Sequence, residues 1–162
     1  MDKDIDTKTF WRLLGMRAIG AAAVTAQGSK GPAGFLALST THVTANPPTM
    51  LVSIGRKTSA LSAISESGNF AINYLPKERD DLASLFGGQG DEKGADRFKP
   101  GEWTVLATGA PILVGAVGSI DCRVEDAIER HDVIIFLGRI VDWVQNASRL
   151  LLISFAGSYT TI

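Results

Sequence analysis

Cysteine occurs once in this chain, at Cys122, and histidine only twice, at His42 and His131. One cysteine excludes an internal disulfide framework and a multi-cysteine metal site, and it suits a reducing compartment. The two histidines stand far apart, and there is no HExxH or CxxC spacing of the kind that holds zinc. GxSxG, the Walker loop and a strand-to-helix GxGxxG are missing as well, which removes the serine-hydrolase and the two commonest nucleotide-binding readings. Cys122 has apolar neighbours and reads as a buried, inert thiol. Neither sign of charge dominates: 16 Lys and Arg against 17 Asp and Glu leave a net charge of −1, so nothing attracts nucleic acid or an anionic membrane in bulk. Long apolar runs are absent too. Val133 to Leu137 and Leu150 to Ile153 fall well short of the roughly 20 residues that cross a bilayer. The amino terminus, MDKDIDTKTFWRLLGM, is acidic where an export signal is basic. The expectation is a soluble, cytoplasmic protein.

What is present is an ordinary globular composition. Its 162 residues, 45% of them hydrophobic, suffice for one domain over residues 1–162 with a core that needs no staples. Asp6 or Thr7 can cap a helix whose apolar residues Phe10, Trp11, Leu13, Leu14 and Met16 predict packing on a core. Ile19 to Ala26 and Phe35 to Leu38 read as a hairpin around Gly28 to Gly31. Thr49 to Ile54 is an apolar strand, Ser59 to Ile64 a short helix capped by Thr58, and Asn69 to Leu75 another strand. Pro76 opens a helix over Lys77 to Phe86, which ends in the polar GGQGDEKG loop. Ile112 to Ile128 and Val133 to Val144 form a long hairpin about the charged turn Glu129 to Asp132, and LLISFAGSY adds one more strand. About seven strands with few helices predict a mainly β protein, an antiparallel split barrel with flanking helices. Trp11, Trp103 and Trp143 are expected as core or interface anchors.

The most informative stretch runs from Gly34 to Tyr74. A hydroxyl-rich turn (Ser39, Thr40, Thr41) and the Pro47-Pro48 break precede an apolar strand ending in Ser53, Ile54 and Gly55. A cation and hydroxyl cluster follows (Arg56, Lys57, Thr58, Ser59). Hydroxyls and free amides on two neighbouring loops can satisfy a phosphate and the polar edge of a planar ring while the strand between holds both loops still. The same residues also make ordinary turns with solvated cations, and that reading stays open. Because ionisable groups are scarce elsewhere, chemistry carried by a bound redox cofactor is the better match.

Four blocks resemble the flavin reductase-like family of split-barrel proteins, which includes the small reductase components of two-component flavin monooxygenases. They are FWRLLGMRAIGAAAVTA; GFLALSTTHVTANPPTMLVSIGRKTSA; FAINYL with Arg97-Phe98; and GAPILVGAVGSIDCRVEDAIERHDVIIFLGRIV closing on FAGSY. The resemblance implies FMN or FAD as cofactor, held by Leu38, Ser39, Thr40, Thr41, Ser53, Ile54, Gly55, Arg56, Lys57, Thr58 and Ser59, with NADH or NADPH as hydride donor. It implies catalytic roles beside the nicotinamide for His131 and Tyr159. Counted back without gaps from Gly138, Val133 takes the place of the family histidine, and His131 stands two positions earlier, an offset that keeps the same face of a strand. The resemblance further implies a homodimer, and an acceptor that is a partner monooxygenase or a metal centre such as a cobalt corrinoid. A non-catalytic flavin-binding or storage module is the alternative.

Overall fold

Residues 3–161 are described by a computed structural model. Helix α1 (Thr7–Leu14) leads into strands β1 (Ile19–Gly20), β2 (Ala22–Gly28), β3 (Gly31–Ala37), β4 (Thr41–Ala45) and β5 (Pro48–Gly55). Helix α2 (Ala60–Ser67), β6 (Asn69–Tyr74), α3 (Asp80–Phe86) and a 3-10 turn (Gly94–Arg97) follow. The chain ends with β7 (Trp103–Val105), β8 (Pro111–Leu113), β9 (Gly118–Arg130), β10 (Val133–Gln145), β11 (Leu152–Phe155) and β12 (Ser158–Thr161).

Seven strands form one antiparallel sheet in the order β3-β2-β6-β9-β10-β5-β4. Its alternate residues converge on one apolar cluster: Val24 and Ala26 from β2, Val52 and Ile54 from β5, Phe70 and Ile72 from β6, Cys122 from β9 and Phe136 from β10. A sheet whose two ends share one core is curled, and because β3 and β4 stay unpaired with each other the barrel is split. On the other face, Ala23 of β2 and Ala21 just before it pack with Leu82 and Phe86 of α3 and with Leu113 and Leu152. Strand β2 is thus covered on both sides, which accounts for its run of small side chains. Buried Asn73 ties the layers together. Its amide donates to the Ala23 and Pro111 carbonyls, and its carbonyl accepts from Leu113 N (2.9 Å) and Ser119 Oγ (2.8 Å).

Several expected elements differ. Helix α1 buries no residue: Phe10, Trp11, Leu13 and Met16 are exposed, so it is a surface element and not a core one. Its expected cap is present, with Asp6 accepting from Thr9 N at 2.7 Å. Helix α2 starts after Ser59 and lacks a side-chain cap; the Thr58 carbonyl, not its hydroxyl, meets the helix by accepting from Leu61 N. Pro76 does not open α3, because it bridges to Leu151 and the helix begins only at Asp80. The carboxy-terminal segment is a hairpin, β11–β12, pairing onto β1 and not a single strand. Ile112 to Ile128 breaks into β8 and β9 at Val114 to Val117. Trp103 is half-buried against Phe86 and Phe98, while Trp11 and Trp143 are 60% and 63% exposed.

Candidate functional site

Strands β4 and β5 form a hairpin whose turn is Asn46-Pro47, joined by a cis peptide bond, with Pro48 opening β5 opposite Ala45. Antiparallel pairing brings the loop before β4 beside the loop after β5, so Leu38–Thr40 and Gly55–Ser59 become neighbours although β4 and β5 separate them in sequence. Ser39 Oγ closes the contact by donating to the Ser53 carbonyl at 3.1 Å. Strand β4 begins opposite Leu51, which leaves the last residues of β5 without a strand neighbour on that side. Arg56 N donates toward β10, to the Asp132 carbonyl. Backbone groups alternate along a strand, so Ser53 and Gly55 turn theirs away from β10, to the open edge, where their carbonyls accept from Ser39 Oγ and Thr58 N and their amides face the opening.

That edge faces a groove of about 900 Å³. Leu38, Ser39, Ser53, Gly55 and Thr58 line one side of it, and Phe10, Trp11 and Leu14 of α1 line another. The outward face of α1 is therefore a wall of the groove. Phe10 and Trp11 meet edge to face, ring centroids 5.2 Å apart.

The remaining residues of the expected set fall elsewhere. The Ile54 side chain is buried in the barrel core, so only its backbone is near the groove. Thr40 lies against the Tyr74 phenol, whose pKa burial raises and the Thr40 hydroxyl lowers. Thr41 is exposed on β4, paired with Leu51. Ser59 lines a separate small pocket of about 140 Å³ with Lys30 and Glu66. Lys57 is exposed and outside the groove lining. Arg56 is engaged: its Nη2 donates to Glu129 at 2.9 Å and its Nε to the His131 carbonyl at 3.2 Å. With its amide on Asp132, this residue wraps the β9–β10 turn.

His131 sits in that turn at φ 50, exposed, and not on a strand. The two-residue offset therefore does not carry it onto the face of Val133. Strand β10 starts only at Val133, which pairs with Gly55 and, with Asp132, lines the groove. Tyr159 lies outside the lining, 40% exposed, with burial raising its phenol pKa. Its register is Tyr159 opposite Ser154 opposite Ile19, and Ile19 does line the groove, so Tyr159 stands on the same face two strands away. The groove wall from α1 and the two charged lining residues, Arg17 and Asp132, are absent from the expected set. Spacing had marked α1 as apolar, and only the fold shows which space that face borders.

Elsewhere the chemistry is sparse. Burial pushes the Cys122 thiol up to about 12, as expected of an inert core cysteine. No group of three potential metal ligands occurs among the described residues.

The sequence profile described as "Flavin reductase like domain" matches residues 16–162. The chain belongs to this family. FMN reductase (NADH) RutF of Agrobacterium fabrum is 38% identical over 151 residues, covering 91% of this chain and 84% of that protein. Among solved structures, the NADH:FAD oxidoreductase SgcE6 of Streptomyces globisporus superposes with a TM-score of 0.87 at 26% identity, covering 100% of this chain and 98% of the other. A Mycobacterium thermoresistibile homologue of nitrilotriacetate monooxygenase component B gives 0.87 at 28% identity, over 97% and 87%. This member of the family is an oxidoreductase with the mainly β, antiparallel architecture of those relatives. No helix among the described residues is long and apolar enough to cross a membrane.

Proposed function

We propose that this chain binds FMN or FAD in the groove between α1 and the β4–β5 hairpin and reduces it with NADH, NADPH being the weaker donor. The observation that carries the reading is the open edge of β5 at Ser53 and Gly55, flanked by the Ser39 and Thr58 hydroxyls and faced by the aromatic wall of α1. This donor set suits a flavin: the Ser53 and Gly55 amides can donate to the acceptor edge of a planar ring, apolar side chains cover its face, and a hydroxyl beside a turn can meet its phosphate. The relatives named for FMN and for NADH:FAD supply the choice of ligands.

A bound flavin supplies the redox chemistry by accepting a hydride from the nicotinamide and releasing its electrons to an acceptor. The protein's part is to hold. Ser53 and Gly55 fix the ring edge, Phe10 and Trp11 exclude water, and Val133 with Asp132 borders the side from which a nicotinamide would approach. His131 and Tyr159 are the proposed contacts at the outer margin of that approach. Neither has to transfer a proton for a hydride to move.

Release of reduced flavin to a partner monooxygenase is the acceptor reading we favour over a metal centre such as a cobalt corrinoid, because a homologue of a monooxygenase component is among the relatives. We also propose a homodimer. The exposed Trp11, Leu13, Met16 and Phe155 lie on or beside α1 and β11, which come together where Ala156 N donates to the Gly15 carbonyl, and covering them is what a second copy would do. Light scattering coupled to size exclusion is expected to give twice the chain mass of 17.2 kDa; a single-chain mass would remove the dimer.

The test of the function is anaerobic. Protein mixed with flavin and NADH should lose its yellow absorbance in a saturable way, faster than with NADPH.

A further inference from the structure

We infer that Arg17, and not Arg56 or Lys57, is the cation that meets the phosphate of the bound cofactor. This rests on the groove being the cofactor site.

Phosphate recognition by hydroxyls in a largely apolar cleft is strengthened by a positive group inside the lining and free to move toward the ligand. Among the described residues lining the groove, only Arg17 and Asp132 are charged. Asp132 repels a phosphate. Arg17 stands just past the end of α1, exposed, and its guanidinium makes no hydrogen bond or ion pair among the described residues. The two cations that sequence places beside the strand are disposed differently. Arg56 already donates to Glu129 and to the His131 carbonyl, so to serve a phosphate it would have to abandon the turn it holds. Lys57 lies outside the lining. A planar guanidinium above apolar walls can grip a phosphate through two parallel bonds, and field lines there are less screened than in open water.

The groove has room for either of two phosphate sources, the ribityl phosphate of flavin or the pyrophosphate of the nicotinamide dinucleotide. The experiment separates them. Flavin affinity is measured by fluorescence quenching for FMN and for riboflavin, which lacks the phosphate, in the wild type, Arg17→Gln, Arg17→Lys and Arg56→Gln. KM is measured in parallel for NADH and for dihydronicotinamide riboside, which lacks the pyrophosphate. If Arg17 meets the flavin phosphate, the preference for FMN over riboflavin falls about tenfold in Arg17→Gln, the scale of one charge-assisted contact. Arg17→Lys restores part of it. If Arg17 meets the pyrophosphate, the preference for NADH over the riboside falls instead and the flavin ratio stays. Arg56→Gln should weaken both members of a pair alike, because a loosened turn does not distinguish ligands with and without phosphate. Both ratios unchanged in Arg17→Gln, or a ratio lost only in Arg56→Gln, overturns the inference while leaving the groove as the site. A wild type that binds neither flavin overturns the site reading and the inference with it.

Discussion

Ser39 and Thr58 stand on the two loops that the β4–β5 hairpin brings together, and each contributes a hydroxyl at the groove. Thr58→Val keeps the shape and removes the hydroxyl, so it is expected to weaken FMN binding by about 1 kcal/mol, the net value of one hydrogen bond. Equal FMN affinity in Thr58→Val and wild type, read by fluorescence titration, would remove Thr58 from the site. The Arg56–Glu129 pair calls for a different expectation. Both partners are well exposed, so Glu129→Gln should hardly change folding stability. It removes one of the three bonds that tie Arg56 to the β9–β10 turn and loosens that border of the groove, so KM for NADH should rise more than the flavin dissociation constant. A change confined to flavin affinity would place Arg56 on the flavin instead. Residue types were readable from the order hydroxyl turn, strand, cation cluster, because those types have few other reasons to cluster. Their direction was not. Ile54 and Ser53 are adjacent, yet strand alternation buries one and presents the other, and whether Arg56 meets Glu129 or solvent depends on a hairpin 73 residues away.

Strands with a buried face announced themselves, since β2, β5, β6 and β10 all send alternate or continuous apolar residues into the core. Strand β4 did not, because Thr41 to Ala45 is exposed throughout and its pairing comes from the hairpin, not from burial. The carboxy-terminal hairpin was hidden for a similar reason: Ser158–Thr161 buries nothing. In α1 the periodicity was correct and the inference from it was not, because an apolar helical face can border a cleft as well as a core. The long β9–β10 hairpin depends on one close approach. A Cβ at Gly138 would lie 2.6 Å from the Phe70 ring and 3.0 Å from Cys122 Cβ, both in the core. Gly138→Ala is therefore expected to destabilise the protein by about 1–3 kcal/mol through overpacking. Urea denaturation that shows no loss would mean that Phe70 has room to move.

Across the whole molecule, two buried polar centres hold the layers in register, and they respond differently to conditions. Asn73 is uncharged and fully hydrogen-bonded. Asp121 is buried, and burial raises its pKa while Thr108 Oγ1 and Thr108 N, donating to it, act in the opposite sense. With burial dominant, the folded state holds the Asp121 proton more tightly than the unfolded state does. Its contribution to stability is then fully present below the ordinary carboxylate range and declines as pH rises through the raised value. Asp121→Asn lacks this decline. Its stability relative to wild type should increase from pH 4 to pH 7, as read by urea denaturation at each pH, and a constant difference would show that Thr108 cancels the burial. Function converges on the groove, where curled sheet, open β5 edge and aromatic α1 meet. The most direct test of this site is a stopped-flow reaction of the anaerobic flavin-loaded protein with NADH, following the flavin absorbance, for the wild type and for Gly55→Val, which puts a branched side chain into the groove beside Thr58. The wild type should bleach in a saturable way, with flavin retention and bleaching both lost in the variant. Bleaching by Gly55→Val at the wild-type rate, with flavin still bound, would contradict a site in the groove.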